Sequence, residues 1–267
     1  MVFVIVDDNY LELLTSTSFL RDEEVLYHLK CNEDILIRPI LVTDCERFVN
    51  CVESTLTLDK NYSGGVEVIK MSYLEYICCI IAQDEYRLRL FKTLMKLSLG
   101  ASDICIGEIN SKVALGLIYE DCEDIKYITS KEFEDIKKII LYQNIVDYDD
   151  TEVHPDIKKI MEDYYRLSSD GNSRKVTMEE KVCMVANNGA LRKKDVLEMT
   201  FREFSIRFNL IIDEIEYKIN KTAELSGNVK FKDKIEHFIF KKKRNKFDNL
   251  FLNADAVKDK IEGTTNK

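Results

Sequence analysis

Three histidines, eight cysteines and one dense basic–aromatic run are the residues of this 267-residue chain best suited to chemistry. His28, His154 and His237 lie far apart, no Cys stands near a His at a zinc spacing, and no Cys-x-x-Cys occurs. Cys78 and Cys79 are adjacent. On a helix two neighbouring side chains point about 100° apart, which suits packing better than joint ligation. Cys45, Cys78, Cys79 and Cys183 sit inside helical apolar patterns and read as free, buried thiols of a reducing compartment. No Gly-x-Ser-x-Gly elbow, Gly-x-Gly-x-x-Gly loop or Walker sequence is present. Acid runs such as Asp7–Asp8 and the DYDD of residues 147–150 read as solvated surface, with nothing to set one carboxylate apart. The expectation is a protein with no catalytic residue, no metal and no cofactor.

Two constellations suggest binding instead. Residues 181–196 hold a helix, an Asn-Asn-Gly turn and a second helix headed by Arg192, Lys193 and Lys194. A helix-turn-helix regulator would place such residues against DNA, although Gly-turned helical hairpins also serve as plain structural units. The second constellation is the run KFKDKIEHFIFKKKRNKF. From residue 228 to 246 the chain carries eight Lys or Arg against two acids, Asp233 and Glu236. Phe231, Phe238 and Phe240 interleave with this charge. The run suits nucleic-acid backbone, an anionic membrane surface, or an acidic protein face, which includes a face of another copy of this chain. The protein partner is the favoured reading: Phe231, Phe238 and Phe240 act as apolar anchors, and Lys241, Lys242, Lys243 and Arg244 steer toward acid.

The elements that must position these residues are read from caps and periodicity. Five Ser/Thr-x-x-Glu pairs stand before apolar-periodic runs: Thr43–Glu46, Ser72–Glu75, Thr129–Glu132, Thr177–Glu180 and Thr200–Glu203. Each is a capping-box pattern, so each predicts a helix start. Helices follow over residues 43–54, from Ser72 with Tyr73, Ile77, Ile80 and Ile81 as its buried face, and over 85–99, 129–143, 177–187, 191–199 and 200–225, with another near His154–Pro155 ending before Ser168. Gly100 fits a helix C-terminus. Residues 104–109 and 113–119 are β-branched runs that predict a hairpin, with residues 125–128 as a third strand. Residues 2–6 are β-prone, and residues 35–42 contain Pro39, which limits them to an edge strand or an extended lead-in. The fold class is therefore mainly α, built of helical hairpins with a small β insertion near residues 104–128. SSDGNSRK at residues 168–175 is the strongest linker signal, giving two domains over residues 1–168 and 176–262.

Bulk composition agrees with this picture. With 45% hydrophobic residues, 9 Gly and 2 Pro, the chain has enough apolar side chains for a core and few turn formers. A net charge of −9 argues against a general nucleic-acid binder. The start MVFVIVDDNY lacks a signal-peptide pattern, and the apolar stretch at residues 77–82 is too short to span a bilayer. The expectation is a soluble, cytosolic protein with no membrane span.

The block MTFREFSIRFNLIIDEIEYKINKTAELSGNVKFKDKIEHFIFKKK, with its Tyr217-Lys218-Ile219 and Leu-Ser-Gly stop, resembles tail and baseplate proteins of contractile-tailed phages of Gram-positive bacteria, including the baseplate hub assembly type. Met71-Ser72-Tyr73-Leu74-Glu75-Tyr76 and Asp84-Glu85-Tyr86 are similar in style. The resemblance implies a non-enzymatic morphogenesis protein, either a structural component or an assembly factor, whose partners are other tail or baseplate proteins or further copies of itself. It would work in the host cytoplasm or join the virion. The alternative function is the helix-turn-helix-like DNA-binding regulator; a cysteine-dependent or metal enzyme is the third.

Overall fold

The structure is a computed structural model describing residues 6–31, 33–62, 65–120, 124–148, 176–227, 231 and 235–240. It is mainly α with two small antiparallel sheets. The predicted strand at residues 2–6, the predicted helix after His154–Pro155 and the 168–175 linker fall largely or wholly outside those residues. By contact density the chain forms two compact units, residues 1–209 and 210–267.

The first unit opens with α1 (Asp8–Leu14), whose start is capped by Asp7 accepting from the Tyr10 N–H at 2.9 Å, and a π-helical turn over Thr15–Phe19. A hairpin follows, β1 (Val25–His28) against β2 (Asp34–Ile37), with Val25, Tyr27, Ile35 and Ile37 facing the core. Helices α2 (Cys45–Thr55), α3 (Val66–Lys70), α4 (Tyr73–Ile81) and α5 (Glu85–Leu99) come next. Gly100 at φ 71° closes α5 as the sequence predicts, in the left-handed region that a residue without Cβ enters freely.

The predicted insertion is present as β3 (Asp103–Ile109), β4 (Lys112–Ile118) and β5 (Lys126–Thr129), in the order β3-β4-β5 and antiparallel throughout. Its first turn is two residues long, not three. Asn110 and Ser111 both take positive φ, at 50° and 60°, the type I′ geometry that matches strand twist.

Helix α6 (Ser130–Asn144) lies at the centre of the hydrogen bonding. Phe133, Ile136, Ile139, Ile140 and Leu141 are buried, and the Phe133 ring lies 6.1 Å from that of Phe91 on α5. Glu132 is 3% exposed yet satisfied. One carboxylate oxygen accepts from the Lys30 N–H at 2.8 Å; the other accepts from the Thr129 N–H at 2.8 Å and from the Thr129 hydroxyl. At the far end the fully buried Asn144 accepts from the Ile40 N–H at 2.7 Å and donates to the Ile140 carbonyl at 2.8 Å. Between these, the Tyr27 hydroxyl donates to Asp135 at 2.9 Å. Burial, then that bond to a carboxylate, raises the Tyr27 pKa; burial also raises that of Asp135, against the donated hydrogen bond.

Of the five predicted capping boxes, Ser72–Glu75 and Thr177–Glu180 form reciprocally. At Thr129–Glu132 the carboxylate reaches back as expected. At Thr200–Glu203 only the backbone donor of Glu203 is satisfied, at 3.1 Å. Thr43–Glu46 does not form: Thr43 lies inside a 3-10 turn over Val42–Asp44, and α2 starts two residues later without a side-chain cap.

The thiols are also less uniform than expected. Cys45, Cys51 and Cys78 are buried, but Cys31 and Cys79 are exposed, and Cys105 and Cys183 lie between. Cys78 is pushed up to about 11, first by burial and then by neighbouring Cys79 and Glu75. Among the described residues no helix is long and apolar enough to cross a membrane.

Two outcomes follow. Asn144→Ala strands the buried Ile40 N–H, so denaturant unfolding will show a loss of about 1–3 kcal/mol, whereas the exposed Asn50→Ala will stay within about 0.5 kcal/mol. Equal effects would deny Asn144 its clamping role. Alkylation followed by peptide mass spectrometry at neutral pH will label Cys31 and Cys79 first. Cys45, Cys51 and Cys78 will react only once the protein is unfolded.

Candidate functional site

The basic–aromatic run is preceded by three helical elements: α7 (Met178–Gly189), α8 (Lys193–Leu197) and α9 (Phe201–Leu225). Helix α7 runs through the predicted Asn188–Gly189 turn, and Ala190 rather than Gly189 takes the left-handed conformation, at φ 50°. Its basic neighbours face acids. Arg192 makes two hydrogen bonds to Asp195, at 3.0 and 2.6 Å; Lys193 lies 3.3 Å from Glu179 and Lys194 3.6 Å from Glu198. A DNA reader needs those cations turned toward phosphates and base edges from a helix long enough to lie in a groove. Helix α8 has five residues.

Helix α9 is fixed at its first turns within the first unit. The Phe201 N–H donates to the Ile40 carbonyl at 2.6 Å, and the Val42 N–H to the Met199 carbonyl at 3.0 Å. The Thr200 hydroxyl donates to Asp22, which adopts a left-handed φ of 57°. Arg202 donates to the Tyr142 carbonyl at 2.7 Å and lies 5.6 Å from the centre of the Phe19 ring. Burial lowers its pKa, opposed by the charges of Asp147 and Asp22. Phe204, 2% exposed, completes the attachment.

From Leu210 onward α9 belongs to the second unit, and its apolar residues change role. Ile212, Ile215 and Ile219 follow the three- and four-residue spacing of one helix face, yet they are 42%, 39% and 62% exposed. Lys218 pairs with Glu214, and Lys221 with Glu224, each at 2.6 Å. Tyr217 lies on the opposite side, two residues or about 200° on from Ile215. Against it folds the described part of the tail. The His237 ring stands 4.9 Å from Tyr217 and stacks on Phe238 at 4.5 Å; Phe238 is 6.1 Å from Tyr217. A 3-10 turn over Phe238–Phe240 is closed by the Phe240 N–H donating to the His237 carbonyl at 2.9 Å.

This arrangement sorts the three predicted anchors. Phe238 is packed among rings. Phe240, 6.1 Å from His237, remains 76% exposed beside Ile239 at 66%, and Phe231 is 38% exposed. Lys241, Lys242, Lys243 and Arg244 lie outside the described residues. The exposure of the isoleucine stripe of α9 is what sequence reasoning missed, because a periodic apolar face reads as core. Among the described residues no three His, Cys, Asp or Glu side chains are grouped to hold a metal ion. Comparison with protein families, characterised proteins and solved structures finds no match to this chain.

The ring cluster accounts for the placement of the tail turn, which gives a direct test. Tyr217→Ala will speed amide exchange at Phe240 roughly two- to tenfold, equivalent to about 1 kcal/mol of lost ring contact. An unchanged rate would show that the turn holds without α9.

Proposed function

We propose that this protein is a non-enzymatic assembly or structural protein that acts through protein–protein contacts, in phage tail or baseplate formation. The observation that carries the contact reading is the set of exposed apolar side chains of the second unit: Ile212, Ile215 and Ile219 along one face of α9, and Ile239 and Phe240 on the tail turn that packs on the Tyr217 side. A fold keeps such residues in water at a cost of about 25 cal/mol per Å² of apolar surface, and a helix face of exposed apolar residues suits a partner. The charge of the following run gives the partner its chemistry. Eight basic residues against two acids between residues 228 and 246 favour an acidic protein face. Apolar anchors would supply the affinity, and Lys241, Lys242, Lys243 and Arg244 the steering. The phage setting rests on the resemblance of the C-terminal block to tail and baseplate proteins.

The test is cross-linking mass spectrometry in phage-producing cells that express the chain. Cross-links from residues 241–246 to tail or baseplate proteins are expected. They should vanish when Lys241, Lys242, Lys243 and Arg244 are all replaced by Glu, with the helical circular-dichroism signal unchanged. Cross-links that survive the reversal, or that reach no tail protein, would refute the reading.

A further inference from the structure

Among the described residues, strand β3 pairs with β4 alone and forms one edge of the three-stranded sheet. The two-residue turn at Asn110 and Ser111 makes Ile109–Lys112 a hydrogen-bonded pair. Alternation then directs the backbone of Gly107, Cys105 and Asp103 to β4, and turns the N–H and C=O groups of Ile104, Ile106 and Glu108 outward. The Ile104 N–H follows this rule: it donates to the Asp103 carboxylate at 2.8 Å. The side chains of Ile104 and Ile106 share the core face of the sheet with Leu117 and Leu115, their partners on β4, and both leucines are fully buried. Ile104 is buried as well, but Ile106 is 48% exposed, because the sheet stops there. Natural edges are commonly blunted by Lys or Pro. The DICIGEI of β3 has neither.

We infer that β3 pairs with β3 of a second copy, antiparallel about a two-fold axis at Ile106. The outward residues Ile104, Ile106 and Glu108 are spaced symmetrically about that axis, as a contact between identical surfaces requires. In this register the Ile106 N–H of each copy donates to the Ile106 carbonyl of the other, and the Glu108 N–H to the Ile104 carbonyl. The Ile104 N–H keeps its bond to Asp103. The two Ile106 side chains meet across the axis and cover each other, which extends the apolar face begun by Leu115 and Leu117. The two Glu108 carboxylates stand four strand residues apart, roughly 13 Å, so their repulsion is largely screened at physiological salt. Asp103 at the strand end is already paired with Lys92 at 2.7 Å. A foreign strand would satisfy the same backbone groups, but the two-fold match at Ile106 and the separation of the carboxylates favour the chain itself. This contact is separate from the α9 surface.

The experiment joins sedimentation velocity of the full chain to amide hydrogen exchange read by NMR, both over a concentration series. The expected result is a mass that climbs from monomer to dimer, with exchange at the Ile106 and Glu108 amides slowing roughly tenfold as the dimer fills. Cys105 and Gly107, bonded to β4, serve as amides protected from the start. Ile106→Pro removes an outward N–H and leaves the bonds to β4 in place. Ile106→Lys keeps that N–H and sets two ammonium groups opposite each other. Both variants should be monomeric, and circular dichroism checks that they fold; if the proline variant does not, the lysine variant decides. A wild-type monomer throughout the series overturns the inference, as does a folded Ile106→Lys variant that still dimerises. A dimer whose Ile106 and Glu108 amides exchange at the monomer's rate overturns it too, and would move self-association to another surface. None of these results touches the contact reading of α9, which stands or falls on its cross-links.

Discussion

Both ends of helix α6 are fastened by side chains with almost no access to water. At its start Glu132 holds the Lys30 N–H; at its end Asn144 holds the Ile40 N–H. A buried donor or acceptor left without a partner costs more than an ordinary hydrogen bond gains, so these bonds fix where the chain between Lys30 and Ile40 runs. That stretch contains β2, whose register sets β1. Ile40 in turn accepts from the N–H of Phe201, and Tyr142 of α6 accepts from Arg202. Helix α6 is thus bonded both to the first hairpin and to the first turn of α9.

The same helix chemistry serves opposite ends in α9. Its first turns use Thr200, Arg202 and Phe204 to join a core. Further on, isoleucines at core-like spacing are exposed, and among the described residues His237 and Phe238 pack on the Tyr217 side. A helix that nucleates on a packed base forms without needing its outer face buried. That is the physical condition for displaying an apolar stripe.

The helices were legible because caps and apolar period agreed with each other: Ser72 and Thr177 cap where expected, and Phe133, Ile136, Ile139 and Ile140 are buried as a stripe. The β3-β4-β5 insertion was legible from its β-branched runs. Only half of the β1-β2 hairpin was legible, β2 falling largely within the edge strand read at residues 35–42. Its outward positions include Leu26 and Leu36, cross-strand partners that are 45% and 41% exposed, so the chain shows no apolar–polar alternation there. Thr43 had cap chemistry without a cap: the Val42 N–H donates to the Met199 carbonyl, and residues 42–44 form a 3-10 turn that leads into α2. In the candidate site the aromatic and basic residues were visible as types. The exposure of Ile212, Ile215 and Ile219 was not, since periodicity reports which side chains share a face and is silent on what lies opposite that face.

The exposed stripe also bears on the lifetime of the chain in a cell. Each isoleucine kept in water forgoes on the order of 1 kcal/mol that burial would return. To holdases and proteases, which select exposed apolar segments, the free chain presents part of the signature of an unfolded one. Covering the stripe withdraws that signature and shifts the chain toward the protected form by mass action. A partner that covers α9 would in that way meter abundance: copies made in excess of it would be cleared, and copies in complex would persist.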